Sequence, residues 1–307
     1  MNTIPFTVSA DLDLGERVTS FLSSQAADVA IFEGSVPQSI KDEGGGVAYQ
    51  IAPGKMLLNL PNGTRIFIED GERIIYHRGE NCTDKDIALF VLGSAWGALC
   101  YQRGLIPLHA SAVIVDGYIY AFTGHSGSGK STLAAGLSAY GLDFFTDDVL
   151  IYDPSESADK AICYAGQKDL KLWGDAVTLT NSVATGRIRD TPDLDKHFAR
   201  PNKVSTKTKA PLSKLFILDR TNTPDSDKNL LTPLTGAVAF KTIIENIYRP
   251  RYAEVLMGRP ALFAAMGQLI KQIKVTEFKR YFHDSNFHES VEFLAKHLVN
   301  EPHHKNS

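Results

Sequence analysis

Gly124-His-Ser-Gly-Ser-Gly-Lys-Ser131 is the stretch that decides how this chain is read, because it matches G-x-x-x-x-G-K-[ST] between an apolar run and a helical one. Glycines in such a loop let backbone amides turn inward as an anion-binding nest, and the positive end of the next helix adds to it. Lys130 is placed to reach the β- and γ-phosphates of a nucleotide, and the Ser131 hydroxyl to ligate magnesium. Gly124, Gly127 and Gly129 supply the turns, and His125, Ser126 and Ser128 contribute backbone amides. The binding set runs on to Thr132.

Upstream, Ser111-Ala-Val-Ile-Val115 and Tyr118-Ile-Tyr-Ala-Phe122 read as buried strands around Asp116-Gly117, a pair suited to a tight hairpin. Downstream, 131–140 has helical composition and stops at Gly141, and Asp143 to Tyr152 reads as another strand. That order predicts an α/β class with a mixed sheet. Lys214 to Leu218 reads as a short strand, and 170–183, 237–248, 260–272 and 287–299 as helices. Further out, four strand-like runs over 47–77 are punctuated by Asn62-Gly63 and Asp70-Gly71, a meander of hairpins. An apolar helix over 84–103 follows, opened by the capping pattern Thr83-Asp-Lys-Asp86. The expected division is a small β-rich unit, 1–104, and a nucleotide-binding unit, 105–307.

Asp147-Asp148 stand seventeen residues beyond Lys130, at a strand. Loops at neighbouring strand ends of an open α/β sheet share one crevice, so the pair can face a γ-phosphate. One carboxylate would hold magnesium and the other accept the proton of an attacking hydroxyl. His109 enters the strand that hairpins onto the loop strand, within reach of the same crevice; Ser111 is a weaker candidate. A polar, basic stretch, Arg187 to Lys214, reads as a surface loop or a lid. It includes Arg189 and Lys196 among its cations and Asp190 and Asp193 among its acids. Lys171 with Trp173, and Arg249, Arg251 and Arg259, are further candidate phosphate contacts.

The chain has 307 residues, is 43% hydrophobic and carries a formal charge of −3, so no global basic field argues for nucleic acid or an anionic membrane. Its most apolar run, 87–101, falls short of the roughly twenty residues that span a bilayer. Three dispersed cysteines give neither a disulfide frame nor a zinc spacing, and the first residues lack a secretory pattern. A cytoplasmic protein is expected.

With His109 before a strand hairpin, the loop at 124–131 and Asp147-Asp148 after the next helix, the chain resembles the HPr kinase/phosphorylase family. The nucleotide domain of that family is in turn similar to that of ATP-dependent phosphoenolpyruvate carboxykinase. The likeness is close over 105–153 and elsewhere extends to layout. It implies a P-loop kinase core using ATP and magnesium, with Asp147 as the base, Asp148 assisting or holding magnesium beside Ser131, and His109 near the reacting phosphate. Leu170-Lys-Leu-Trp-Gly-Asp-Ala176 resembles a divergent branch of these proteins. Some of that branch phosphorylate a serine at the C-terminal end of a ribosomally made peptide precursor, as in lasso-peptide tailoring. The expected acceptor is therefore a serine of a peptide or small protein, with a small-molecule kinase or a nucleotide-binding regulatory ATPase as alternatives. Relatives often assemble, which leaves a homo-oligomer open.

Overall fold

The computed structural model describes residues 5–15, 21–23, 26–188, 195–221, 229–281 and 284–301. Strands β1 (Val8–Ala10) and β2 (Val29–Glu33) precede the expected meander, which forms β3 (Tyr49–Ala52), β4 (Lys55–Asn59), β5 (Arg65–Glu69) and β6 (Arg73–His77). Together they make one sheet in the order β1-β2-β6-β5-β4-β3, parallel where β2 meets β1 and β6 and antiparallel elsewhere. The sequence did not mark β1, whose three residues are too few to show a period, or β2, which no Asn-Gly or Asp-Gly turn flanks.

The apolar helix forms as α1 (Asp84–Phe90), a π-helical turn (Val91–Ala95) and α2 (Trp96–Gln102). Thr83 caps it reciprocally: its hydroxyl takes the Asp86 amide at 3.2 Å, and the Asp86 carboxylate takes the Thr83 amide at 3.0 Å.

Beyond it run β7 (Ile106–Leu108), β8 (Ser111–Val115), β9 (Tyr118–Thr123), α3 (Lys130–Ala139), β10 (Asp143–Tyr152), β11 (Ile162–Gln167), β12 (Leu170–Trp173), α4 (Gly174–Leu179), β13 (Val183–Arg187) and β14 (Lys196–Arg200). They continue through β15 (Lys209–Thr221), β16 (Leu230–Leu234), α5 (Gly236–Glu245), α6 (Pro250–Ala253), α7 (Arg259–Gln272), β17 (Lys274–Tyr281) and α8 (Asp284–Asn300). The larger sheet has the order β11-β10-β8-β9-β15-β17-β16, with β7 on β10. It is mixed, because β15 lies parallel to β9 and β17 while its other strands pair antiparallel. Asp116 and Gly117 make the two-residue turn between β8 and β9, both with positive φ.

The structure departs from two expectations. The stretch 170–183 is not one helix: Leu170 and Leu172 are buried at a period of two, and β12 pairs with β14 before the short α4. The stretch 187–214 is not all loop, since it carries β14 and the first half of β15, and β12-β14-β13 form a third, antiparallel sheet. Arg189, Asp190 and Asp193 lie outside the described residues. The helices expected at 237–248, 260–272 and 287–299 correspond to α5, α7 and α8.

Alternation along β8 and β9 sends Ala112, Ile119 and Ala121 to one face and Val113, Tyr120 and Phe122 to the other. The second face is covered by α3 and α8, through Leu133, Leu137, Val291 and Leu294. The first shares a core with the apolar helix (Val91, Trp96, Leu99), the smaller sheet (Ile66, Ile68, Ile74) and α5 and α7 (Ile243, Leu262). One continuous core thus crosses residue 104. Tyr248, between α5 and α6, seats its ring on α2, where a Cβ added at Gly97 would stand 2.7 Å from its Cδ1. Gly97→Ala is therefore expected to cost about 1–3 kcal/mol by overpacking. Urea unfolding checks this, and an unchanged midpoint would show the ring free to move aside.

Candidate active site

The glycine-rich loop leaves β9 and opens α3 at Lys130. Gly124, Gly127 and Gly129 hold φ of 143°, 80° and 83°, a region where a side chain strains the backbone. Gly124 also lies so close to β15 that a Cβ would meet the Leu218 carbonyl oxygen at 2.8 Å. The buried Lys130 ammonium donates to the carbonyls of Gly124 at 3.0 Å and His125 at 3.3 Å. From β17, the buried Arg280 donates through Nη2 to the Ser128 carbonyl at 3.2 Å, bracing the loop from behind.

Asp147 and Asp148 follow each other on β10, and adjacent strand residues ordinarily point to opposite faces. Here the pairing of β10 with β11 slips between Asp147 and Leu150, and Asp148 takes φ 69°, left-handed for a residue other than glycine. Bulge and strained backbone together bring both carboxylates to one cleft. Asp147 is buried: its Oδ1 accepts from Ser131 Oγ at 2.8 Å and Ser111 Oγ at 2.5 Å, and its Oδ2 from the Lys171 amide at 2.9 Å.

Asp148 faces other partners. Its Oδ2 meets Lys171 Nζ at 2.7 Å, and its Oδ1 lies 3.4 Å from His109 Nδ1. Burial raises this carboxyl, but the Lys171 ammonium, helped by His109, outweighs it and holds the group below its ordinary value. His109 Nδ1 also stands 3.0 Å from the Asp148 carbonyl oxygen, which can only accept, so Nδ1 carries the proton. Burial, reinforced by Lys130, depresses the imidazole below its usual value. Thr123 Oγ1 fixes the backbone of His109 with a 2.8 Å bond to its carbonyl.

His109, Lys130, Ser131, Asp147, Asp148 and Lys171 line one cleft of about 470 Å³, with Ser126, Gly127, Gly129, Thr132, Trp173 and Lys196. Among the remaining loop residues, Gly124 and Ser128 are buried beneath it and His125 is exposed outside its lining. Much of the basic stretch is engaged elsewhere: Lys203, Lys209 and Lys214 pair with Asp143, Glu156 and Glu301 at 2.9, 2.7 and 2.6 Å. Arg249 lies over the rings of Tyr248 and Tyr252, and Arg259 pairs with Glu254 at 3.0 Å, so neither lines the cleft. The grip of Lys171 on both carboxylates and the brace from Arg280 were not visible in the sequence.

No family model and no curated protein matches the chain. Among solved structures, the HPr(Ser) kinase/phosphatase from Coxiella burnetii is similar at a TM-score of 0.32 and 14% identity, over 62% of this chain and 95% of that one. Likeness at that level assigns neither fold nor activity. Among the described residues no helix is long and apolar enough to cross a membrane.

Proposed function

We propose that this chain is an ATP- and magnesium-dependent phosphotransferase that moves a γ-phosphoryl group onto a hydroxyl, a serine of a peptide or small protein. The observation that carries the reading is one cleft in which a glycine-built phosphate loop meets two carboxylates in different settings. Loop amides and Lys130 take the phosphate oxygens. The donor set fits magnesium: Ser131 Oγ and Asp147 Oδ1 are hard oxygens 2.8 Å apart beside the loop. Magnesium is commonly held by few protein oxygens, its other positions filled by phosphate and water. Bound there, the ion supplies neutralisation of the charge that develops on the phosphates.

The reading exchanges the roles first given to the carboxylates. Asp147 goes with Ser131 to the metal, and Asp148, more open to the cleft, accepts the proton of the acceptor hydroxyl. His109 orients Asp148 through Nδ1. Phosphoryl transfer through a loose transition state needs mainly positioning and charge stabilisation, which these groups supply. The serine acceptor rests on the resemblance read from 105–153 and 170–176. The test is to follow label from γ-labelled ATP, with magnesium, into a serine-bearing peptide. Phosphoserine in the peptide supports the reading, and label that stays in ATP contradicts it.

A further inference from the structure

Lys171 grips both members of the carboxylate pair at once. Its amide donates to Asp147 Oδ2 at 2.9 Å while its ammonium meets Asp148 Oδ2 at 2.7 Å. The two side chains of that ion pair are 15% and 22% exposed, and both line the cleft with Lys130 and Ser131. Asp148 is consequently held at Oδ2 by the Lys171 ammonium, while its Oδ1 lies 3.4 Å from His109 Nδ1. While that ammonium is in place, Oδ2 is engaged and the charge of the base is offset. A γ-phosphate arriving in the same cleft carries more negative charge than one carboxylate, and so competes for the ammonium.

We propose that Lys171 is a catalytic residue that changes partners: when a nucleoside triphosphate fills the loop, its ammonium leaves Asp148 Oδ2 for the γ-phosphate oxygens and uncovers the base. The inference rests on the phosphotransferase reading. In the step it serves, the acceptor oxygen bonds to the γ-phosphorus. The bond from that phosphorus to the β–γ bridging oxygen breaks, its electron pair leaves on ADP, and the acceptor proton passes to Asp148. Lys171 offsets charge on the transferring group while the carboxylate is free to work. The base stays covered until a triphosphate is present.

Calorimetric binding of ADP and of non-hydrolysable AMP-PNP, each with magnesium, to the full chain tests this. Lys171→Met is expected to weaken AMP-PNP by about tenfold or more and ADP by less than about twofold, because the lost charge-assisted contact is made to the γ-phosphate. Asp148→Asn leaves no ion pair to break, and should tighten AMP-PNP by about threefold or more while ADP is unchanged. In the Lys171→Met background that gain should vanish. Equal effects on both nucleotides, or a gain from Asp148→Asn that persists without Lys171, overturns the exchange. Should Lys171→Met fail to fold, Lys171→Gln and the Asp148→Asn comparison decide on their own. A wild-type chain that binds neither nucleotide removes the phosphotransferase reading itself, and the exchange with it.

Discussion

Asp148→Asn is expected to lower phosphoryl transfer by about 10²-fold or more while nucleotide binding is kept or tightened. The substitution preserves the size of the side chain, so the packing around Lys171 and His109 changes little, but an amide cannot take up a hydroxyl proton. Asp147→Asn should act differently. Its carboxylate is buried among Ser131, Ser111 and the Lys171 amide, so its loss falls on the group that would share magnesium with Ser131. Magnesium-dependent ATP binding should then weaken before any step of transfer. Titrating ATP with and without magnesium, and separately timing transfer at saturating ATP, distinguishes the two. If Asp147→Asn spares binding and abolishes transfer while Asp148→Asn does neither, the roles revert to those that the resemblance implied.

Lys130→Ala is expected to weaken ATP by ten- to a hundredfold or more, since it removes a charge-assisted contact worth about 1.5–3 kcal/mol. Lys130 is 8% exposed, its ammonium held against the loop carbonyls of Gly124 and His125. Its loss can therefore also loosen the loop, and urea unfolding of the same variant separates the two effects. A stable variant that keeps wild-type affinity would show that the loop does not hold phosphate.

The block from β8 to β10 was legible because its signals are local and agree. Asp116-Gly117 dictates a two-residue turn, the loop glycines need positive φ, and Gly141 closes a helix of good composition. The meander over 47–77 was legible for the same reason. The segment 170–183 was not, because Leu170 and Leu172 show a single period of alternation before α4 intervenes, and only the pairing of β12 with β14 makes them a strand. β15 reaches thirteen residues because it pairs with β11 at its start and with β9 and β17 further on, support that its lysines and proline conceal.

At the site, the residues that share the cleft were readable and the contacts between them were not. Adjacency of Asp147 and Asp148 says nothing about which faces the loop; that depends on a bulge and on one left-handed residue. Ser111 gave a faint sign, a lone hydroxyl in an apolar strand one alternation after His109. Arg280 gave none, since a buried arginine near the end of β17 looks like any polar strand residue until the strand is placed under the loop.

The central claim is that this cleft moves the γ-phosphoryl group of ATP. Its most direct test is to incubate the full chain with magnesium and γ-labelled ATP, with a serine-bearing peptide or a small acidic protein, and to locate the label by mass spectrometry. One phosphate gained by a serine of the acceptor, lost in both Lys130→Ala and Asp148→Asn, is the predicted result. Label that remains in ATP under saturating nucleotide with every acceptor, or transfer that persists undiminished in both variants, would contradict it.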